Sequence, residues 1–238
     1  DRSLQTTHFL LGFDFAMSRF LKFSIEGYHK IIQGTPVSVW SSAAEFTTDI
    51  AYANGNVNGF DVRIDYDRRN FFAGLGYGYA ITEYETAQDH FTLWFGEEVQ
   101  TYNPSHDRRH QLNAQIGFEF GNFSTNLNWS YGSGMPFTRP IGFDSFFSFE
   151  DGPPEVTEGY GTPRILLDKP FQGRLPQYHR LDLSIERLFE LNSADMNVQL
   201  GAINLYDQSN LFYYDVFFQR GITQLPFVPY LSLKLSSK

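Results

Sequence analysis

Apolar and polar residues alternate with period two along most of the chain. Phe9, Leu11, Phe13 and Phe15 interleave with His8, Gly12 and Asp14, and Leu21, Phe23 and Ile25 with Lys22, Ser24 and Glu26. Successive side chains of an extended chain point to opposite faces, so the pattern predicts two strands, each with one greasy face. Phe60, Val62, Ile64 and Tyr66 set against Asp61, Arg63 and Asp65 predict a third strand. Phe71, Ala73, Leu75, Tyr77 and Tyr79, with glycines between, predict a fourth. The alternation is cleanest over 112–120 and 123–131, joined by the turn pair Gly121-Asn122. Leu181, Leu183 and Ile185, then Met196, Val198, Leu200 and Ala202, flank a turn at 191–194, and Phe227, Leu231, Leu233 and Leu235 mark a last strand. The expected fold is all-β and antiparallel, with consecutive strands adjacent and helix nearly absent.

Short connections near 17–19, 67–70, 121–122 and 191–195 alternate strictly with long ones near 34–56, 85–108, 135–177 and 207–226. A rim of tight turns opposite a rim of long loops is the signature of a transmembrane β-barrel of the outer membrane, whose short turns face the periplasm. A soluble sandwich has no reason for this asymmetry. A lipocalin-type barrel with an apolar interior would show the same period. The polar face of the third hairpin favours a wet lumen instead: Asn113, Gln115, Asn126, Asn128 and Ser130 accompany one charge, Glu119, where a face in bulk water carries more Lys and Glu. Asp61, Arg63 and Asp65 fit either arrangement. On this reading Phe118, Leu127, Trp129 and Ile185 face lipid, and Trp129, Tyr131, Tyr77, Tyr79, Tyr66, Phe118 and Phe120 sit where strands leave the bilayer.

Nine strands, the first descending from the long-loop side, start outside and end inside. Single-chain bacterial barrels have even strand numbers with both termini in the periplasm, so the parity predicts a partial barrel with further strands upstream. The strand near 8–15 and the one near 227–235 should then not pair with each other. Residues 1–7 are polar and carry no signal-peptide pattern, in keeping with a removed signal or a chain beginning mid-protein.

The 238 residues are 42% hydrophobic and 19% charged, too apolar for a disordered tail. Aromatic residues reach 18%, more than a soluble core needs. The net charge of −9 and the absence of any basic stripe exclude a nucleic-acid partner. With no cysteine, disulfides, thiolate metal sites and a cysteine nucleophile are all excluded. No apolar run is long enough for a transmembrane helix, a test that is blind to barrels.

Candidate chemistry is sparse. Asp107-Arg108-Arg109-His110, at a strand start after a long loop, is either an ion-paired edge of the wall or a cluster that grips an anionic ligand, the former being the simpler. His8, His29, His90, His106, His110 and His179 include an i, i+4 pair, His106 and His110, but that spacing shares a face only in a helix. Gly74-Leu75-Gly76-Tyr77-Gly78 lacks the spacing and the helix of a dinucleotide loop. Ser105 beside His106 does not make a nucleophile and base, and no Gly-x-Ser-x-Gly elbow exists. No catalytic, cofactor-binding or metal residue is therefore assigned, no cofactor is expected, and the chain reads as a non-enzyme. Residues 141–163 hold Asp144, Glu150, Asp151, Glu155 and Glu158 with Phe143, Phe146, Phe147, Phe149 and Tyr160. They suit either a solvated loop or a surface for a cationic ligand.

Four ordered stretches carry a resemblance: Tyr102-Asn103-Pro104-Ser105-His106-Asp107-Arg108-Arg109-His110, Tyr131-Gly132-Ser133-Gly134-Met135-Pro136-Phe137-Thr138, Arg174-Leu175-Pro176-Gln177-Tyr178-His179-Arg180-Leu181-Asp182, and Asn204-Leu205-Tyr206-Asp207-Gln208-Ser209-Asn210-Leu211-Phe212-Tyr213-Tyr214-Asp215. In order and position they resemble the C-terminal barrel of TonB-dependent outer-membrane receptors. The end, Leu235-Ser236-Ser237-Lys238, departs from the terminal aromatic residue usual in that family. The resemblance implies that 1–238 is the last part of a twenty-two-stranded barrel in the cell outer membrane. The N-terminal plug and earlier strands would lie upstream. The implied function is energised uptake of a scarce nutrient, an iron chelate, cobalamin, glycan or peptide. Partners would be outer-membrane lipid, the missing plug and strands, the TonB motor acting through the plug, and the small ligand. The alternative is a small self-contained channel or adhesin barrel.

Overall fold

The computed structural model describes residues 3–38, 50–87, 99–146, 162–216 and 218–237, and every regular element among them is a strand. In chain order these begin β1 (Gln5–Ala16), β2 (Leu21–Ser38), β3 (Ile50–Arg68), β4 (Phe71–Ala87), β5 (Val99–Tyr102), β6 (His110–Phe120) and β7 (Phe123–Gly132). Four short strands follow, β8 (Pro136–Phe137), β9 (Pro140–Phe146), β10 (Thr162–Leu167) and β11 (Gly173–Arg174). The chain closes with β12 (Tyr178–Glu190), β13 (Ala194–Ile203), β14 (Leu211–Asp215), β15 (Arg220–Thr223) and β16 (Val228–Ser237).

One large antiparallel sheet runs β1-β2-β3-β4-β6-β7-β12-β13-β16, with β5 paired to the far end of β4 beyond β6. These nine strands are the nine that periodicity predicts, in next-to-neighbour order. The small sheets β8–β11, β9–β10 and β14–β15 all lie inside long connections. Strand structure also reaches further than expected, up to Ser38 in β2, from Ile50 in β3 and up to Ala87 in β4. β1 and β16 end the order, and among the described residues no ladder joins them. The sheet is an open, partial barrel.

The short-turn rim is held by local bonds. Ser18 Oγ accepts from the amides of Phe20 and Leu21, both at 3.1 Å, satisfying donors that the turn would otherwise orphan. Gly121 turns at φ 58°, the left-handed region where a glycine avoids the Cβ penalty. Across neighbouring turns, Asp67 N–H donates to Phe20 O at 2.9 Å, Glu119 N–H to Asn70 O at 2.8 Å and Leu188 N–H to Asn122 O at 2.9 Å. Each tight turn is thereby tied to the next.

Register sorts the two faces. One row pairs Asp65 with Gly74, Gly74 with Gln115, Gln115 with Asn128 and Asn128 with Asp182. Its neighbour pairs Ile64 with Leu75, Leu75 with Ala114, Ala114 with Trp129 and Trp129 with Leu181. Polar and apolar rows thus alternate across the sheet. On the polar face, tyrosine rings lie over glycines directly opposite them: Tyr28 over Gly59, Tyr84 over Gly55 and Tyr230 over Gly201. A Cβ at Gly201 would sit 2.3 Å from the Tyr230 ring, so only glycine leaves the ring room to lie flat.

Among the described residues the apolar face has no second layer. Leu11 is 68% exposed, Leu200 60% and Leu233 66%. Buried hydrophobic residues are few: Ala51, Ala53, Tyr84, Tyr102, Ile165 and Ala202. Most belong to the tall long-loop end, where Ile32, Val37 and Phe171 pack on Ala53, Tyr84 and Tyr102.

Candidate functional site

The chemistry of the chain concentrates at the long-loop rim, where the four motif stretches meet. Asp107 has no side-chain exposure. Its Oδ1 accepts the Thr82 amide at 2.8 Å, and its Oδ2 accepts Arg174 Nη2 at 2.6 Å and Arg109 Nε at 3.3 Å. Arg174 also donates Nη1 to the carbonyls of Asp107 and Gly134, both at 3.0 Å. Arg109 Nη2 donates to Asn103 Oδ1 at 3.1 Å, and Asn103 Nδ2 donates to Thr82 O at 2.7 Å. One buried carboxylate therefore joins β4, the loop before β6 and β11, with charge-assisted bonds replacing the water it has lost.

A second clamp is built on asparagines. Asn204 is fully buried in the left-handed region, φ 55°. Its amide donates to Asp182 Oδ1 at 2.9 Å, its Nδ2 to the carbonyls of Gln208 and Leu225, and its Oδ1 accepts the Gln208 amide. Asn210 bonds both backbone groups of His179, donating at 2.8 Å and accepting at 3.0 Å. Asp207 Oδ1 accepts the Phe227 amide at 2.8 Å. The connection between β13 and β16 is thereby fastened to β12 without a hydrophobic core.

Between β2, β4, β5 and the segment before β11 lies an aromatic cleft of about 520 Å³. It is lined by Pro36, Val37, Tyr84, Tyr102, His106 and Phe171, together with Thr35, Ser38 and Ser105. Tyr102 stacks on Phe171 at 5.4 Å and meets Tyr84 edge-on at 6.2 Å. Burial, with Tyr84 close by, pushes the Tyr102 phenol up to about 12. Burial also raises Tyr84, against a lowering bond to Thr35.

The apolar face carries two aromatic belts. Near the long-loop end, Trp129 stacks on Tyr131 at 6.1 Å, Tyr79 lies 5.0 Å from His110, and Phe60 lies 5.6 Å from Tyr79. The polar tips pair among themselves: Tyr77 OH with His110 Nδ1 at 2.8 Å, Tyr206 OH with His179 Nδ1 at 2.8 Å, and Trp129 Nε1 donating to Tyr206 OH at 3.3 Å. At the turn end, Tyr66 meets Phe71 at 5.9 Å, and Arg187 lies over Phe123 and Phe189 at 4.7 and 4.5 Å.

Of the residues that sequence reasoning weighed, Asp107 and Arg109 are an internal ion pair. Arg108 is apart from them, on the polar face over Gly132 and 5.8 Å from the Tyr178 ring. His106 pairs with Tyr84 at 3.4 Å and His110 with Tyr77, so the two histidines do not converge. Among the described residues no group of three His, Asp or Glu could hold a metal ion. Gly74 and Gly78 lie under Asp65 and Asp61. Among the described residues Ser105 is bonded to no base; its neighbour's ring goes to Tyr84 instead. In the acidic connection Phe143 is half exposed on β9, while Phe147, Phe149, Glu150, Asp151, Glu155, Glu158 and Tyr160 fall outside the described residues, as does His90. Sequence reasoning missed Arg174 as the partner of Asp107, 67 residues away.

The fold is that of the TonB-dependent receptor barrel. The chain superposes on the ferric citrate transporter FecA in its unliganded form with a TM-score of 0.61 at 15% identity, covering 98% of this chain and 31% of that one. It superposes on the ferric-catecholate import receptor Fiu from E. coli K12, closed form, with a TM-score of 0.60 at 11% identity, covering 99% of this chain and 28% of that one. The chain thus spans less than a third of the length of each structure. No protein-family model matches it, and no curated protein sequence matches it.

Proposed function

We propose that this chain is the C-terminal wall of an outer-membrane receptor that takes up a scarce nutrient with energy from the TonB motor. The observation that carries the reading is an open nine-stranded meander with one bare apolar face, matching under a third of two solved receptors over nearly its whole length. An apolar face with no second layer needs a solvent of its own kind, and hydrocarbon supplies it. From His110 to Phe120, β6 runs about 33 Å at ~3.3 Å per residue, or about 23 Å of height at a tilt of ~45°, close to the ~25 Å apolar band of such barrels. The two belts stand where the headgroups begin, and the polar face lines the lumen.

On this reading the plug and the earlier strands lie upstream, and those strands complete the edges of β1 and β16. Without them each edge would leave unpaired amides in hydrocarbon, at several kcal/mol apiece. A self-contained channel needs a ladder between β1 and β16, and nothing in the described pairing favours it. FecA carries the name of ferric citrate and Fiu that of ferric catecholate. For this chain the cargo stays a small nutrient of the same broad kind: iron chelate, cobalamin, glycan or peptide.

Membrane fractionation and uptake test the proposal together. The whole protein should stay with outer membranes through carbonate extraction, and growth on its limiting nutrient should stop when the TonB motor is deleted. Release by carbonate, or uptake indifferent to the motor, would overturn it.

A further inference from the structure

We propose that Arg108 is a binding residue for a carboxylate or phosphate group of the incoming ligand, at the long-loop end of the polar face. This rests on the lumenal placement of that face proposed above, and it deepens that reading by naming the ligand's charge.

The neighbouring carboxylates already hold their own partners. Asp107 is saturated by the Thr82 amide, Arg174 and Arg109. Asp182 takes Arg180 at 2.8 Å and the Asn204 amide at 2.9 Å. Arg108 is left over. Among the described residues its guanidinium makes no ion pair and no hydrogen bond, and its Nε is buried without a partner. The side chain lies flat on the sheet because residue 132 is glycine; a Cβ there would come within 2.7 Å of Arg108 Cδ and Nη1.

The ring of Tyr178, directly opposite Gly132, lies 5.8 Å from the guanidinium, and Arg180 follows two positions along the same face. Arg109 and Arg174 are paired to Asp107 and Arg180 to Asp182, so Arg108 is the one of these four arginines without a carboxylate among the described residues. A guanidinium keeps its charge at any physiological pH, so a partly buried one without a counter-charge calls for an anion. Its terminal nitrogens suit the oxygens of a carboxylate or phosphate. Gly132 and Tyr178 hold it in place in advance, which lowers the ordering cost of binding.

Phenylglyoxal, which modifies unpaired arginines, tests this on the full-length receptor in vesicles, with peptide mass spectrometry as the readout. Arg108 should label faster than Arg109 and Arg174. Citrate or inorganic phosphate at about ten times its Kd should slow that labelling about tenfold, and sodium chloride at equal ionic strength should not. Labelled citrate in equilibrium dialysis should bind about tenfold more weakly to Arg108→Lys, which keeps the charge and loses the fork, while the heat-modifiable gel band of the folded barrel is unchanged. Arg108 unreactive before any anion is added would mean that the plug already pairs it, and equal protection by chloride would mean screening without a site; either overturns the proposal. Motor-dependent uptake, measured in parallel, reports on the receptor reading separately.

Discussion

Replacing Asp107 should loosen the long-loop rim more than any other single polar change there. The carboxylate is wholly buried and holds one backbone amide and two guanidinium groups from three chain segments. Removing one partner of a buried charge pair costs about 3–5 kcal/mol, and a hydrogen bond to a charged group is worth about 1.5–3 kcal/mol. Arg109 and Arg174 are each 36% exposed, so water recovers part of their solvation and the lower end applies. Asp107→Ala should therefore cost about 3 kcal/mol. Asp107→Asn should cost about 2 kcal/mol, because the amide still accepts from Thr82 but turns a donor toward the arginines. Equilibrium unfolding in vesicles gives the total, and amide exchange locates it: the Thr82 and Leu175 amides should exchange faster, with those of Leu127 and Leu200 unchanged. A loss under about 0.5 kcal/mol with unaltered exchange at Thr82 would refute the clamp.

Three further outcomes follow from the same geometry. Leu127→Arg should cost about 2–4 kcal/mol and reduce assembly into the membrane while Asn126→Arg is tolerated, a difference visible in the yield of heat-modifiable barrel. Gly201→Ala should destabilise by about 1–3 kcal/mol by pushing the Tyr230 ring off the sheet, whereas Gly27→Ala, with nothing within 4 Å of its Cβ, should be near neutral in the same unfolding assay. Absorbance titration should find one phenol, absent in Tyr102→Phe, ionising near 12. Because the folded state holds that proton more tightly than the unfolded chain, whose phenol titrates near 10.0, rim stability should fall as pH rises from 10.0 toward 12.

The half of this fold with the bare apolar face was legible because its contrast is simple: Leu, Phe and Val against Asn, Ser and Gly with period two. Beyond the belts that contrast fades. In the upper part of β3, Ala51, Ala53 and Gly55 are the buried row, and on β4 Thr82, Tyr84 and Thr86 are buried beside Glu83 and Glu85. Small and hydroxyl residues packed among themselves carry no hydrophobic alternation, so the strands looked shorter than they are. The rim motifs were visible as strings, but their roles depend on partners distant in the chain. Asp107 reads as a ligand-gripping cluster or as an ion pair until Arg174 is placed on it. The same placement leaves Arg108 alone, which no local pattern could show.

The central claim is that the apolar face meets lipid and the polar face lines a lumen, and because these 238 residues hold no cysteine, each position in them can carry a single label once any cysteine elsewhere in the receptor is replaced by serine. Single cysteines at positions 116, 127 and 185, and at 115, 126 and 128, can each carry a fluorophore in the full-length receptor, reconstituted in vesicles with nitroxide-labelled lipid tails. The account predicts strong quenching at 116, 127 and 185 and little at 115, 126 and 128, flipping with every residue between 126 and 128. Quenching of the second set, or equal quenching of both, would contradict it.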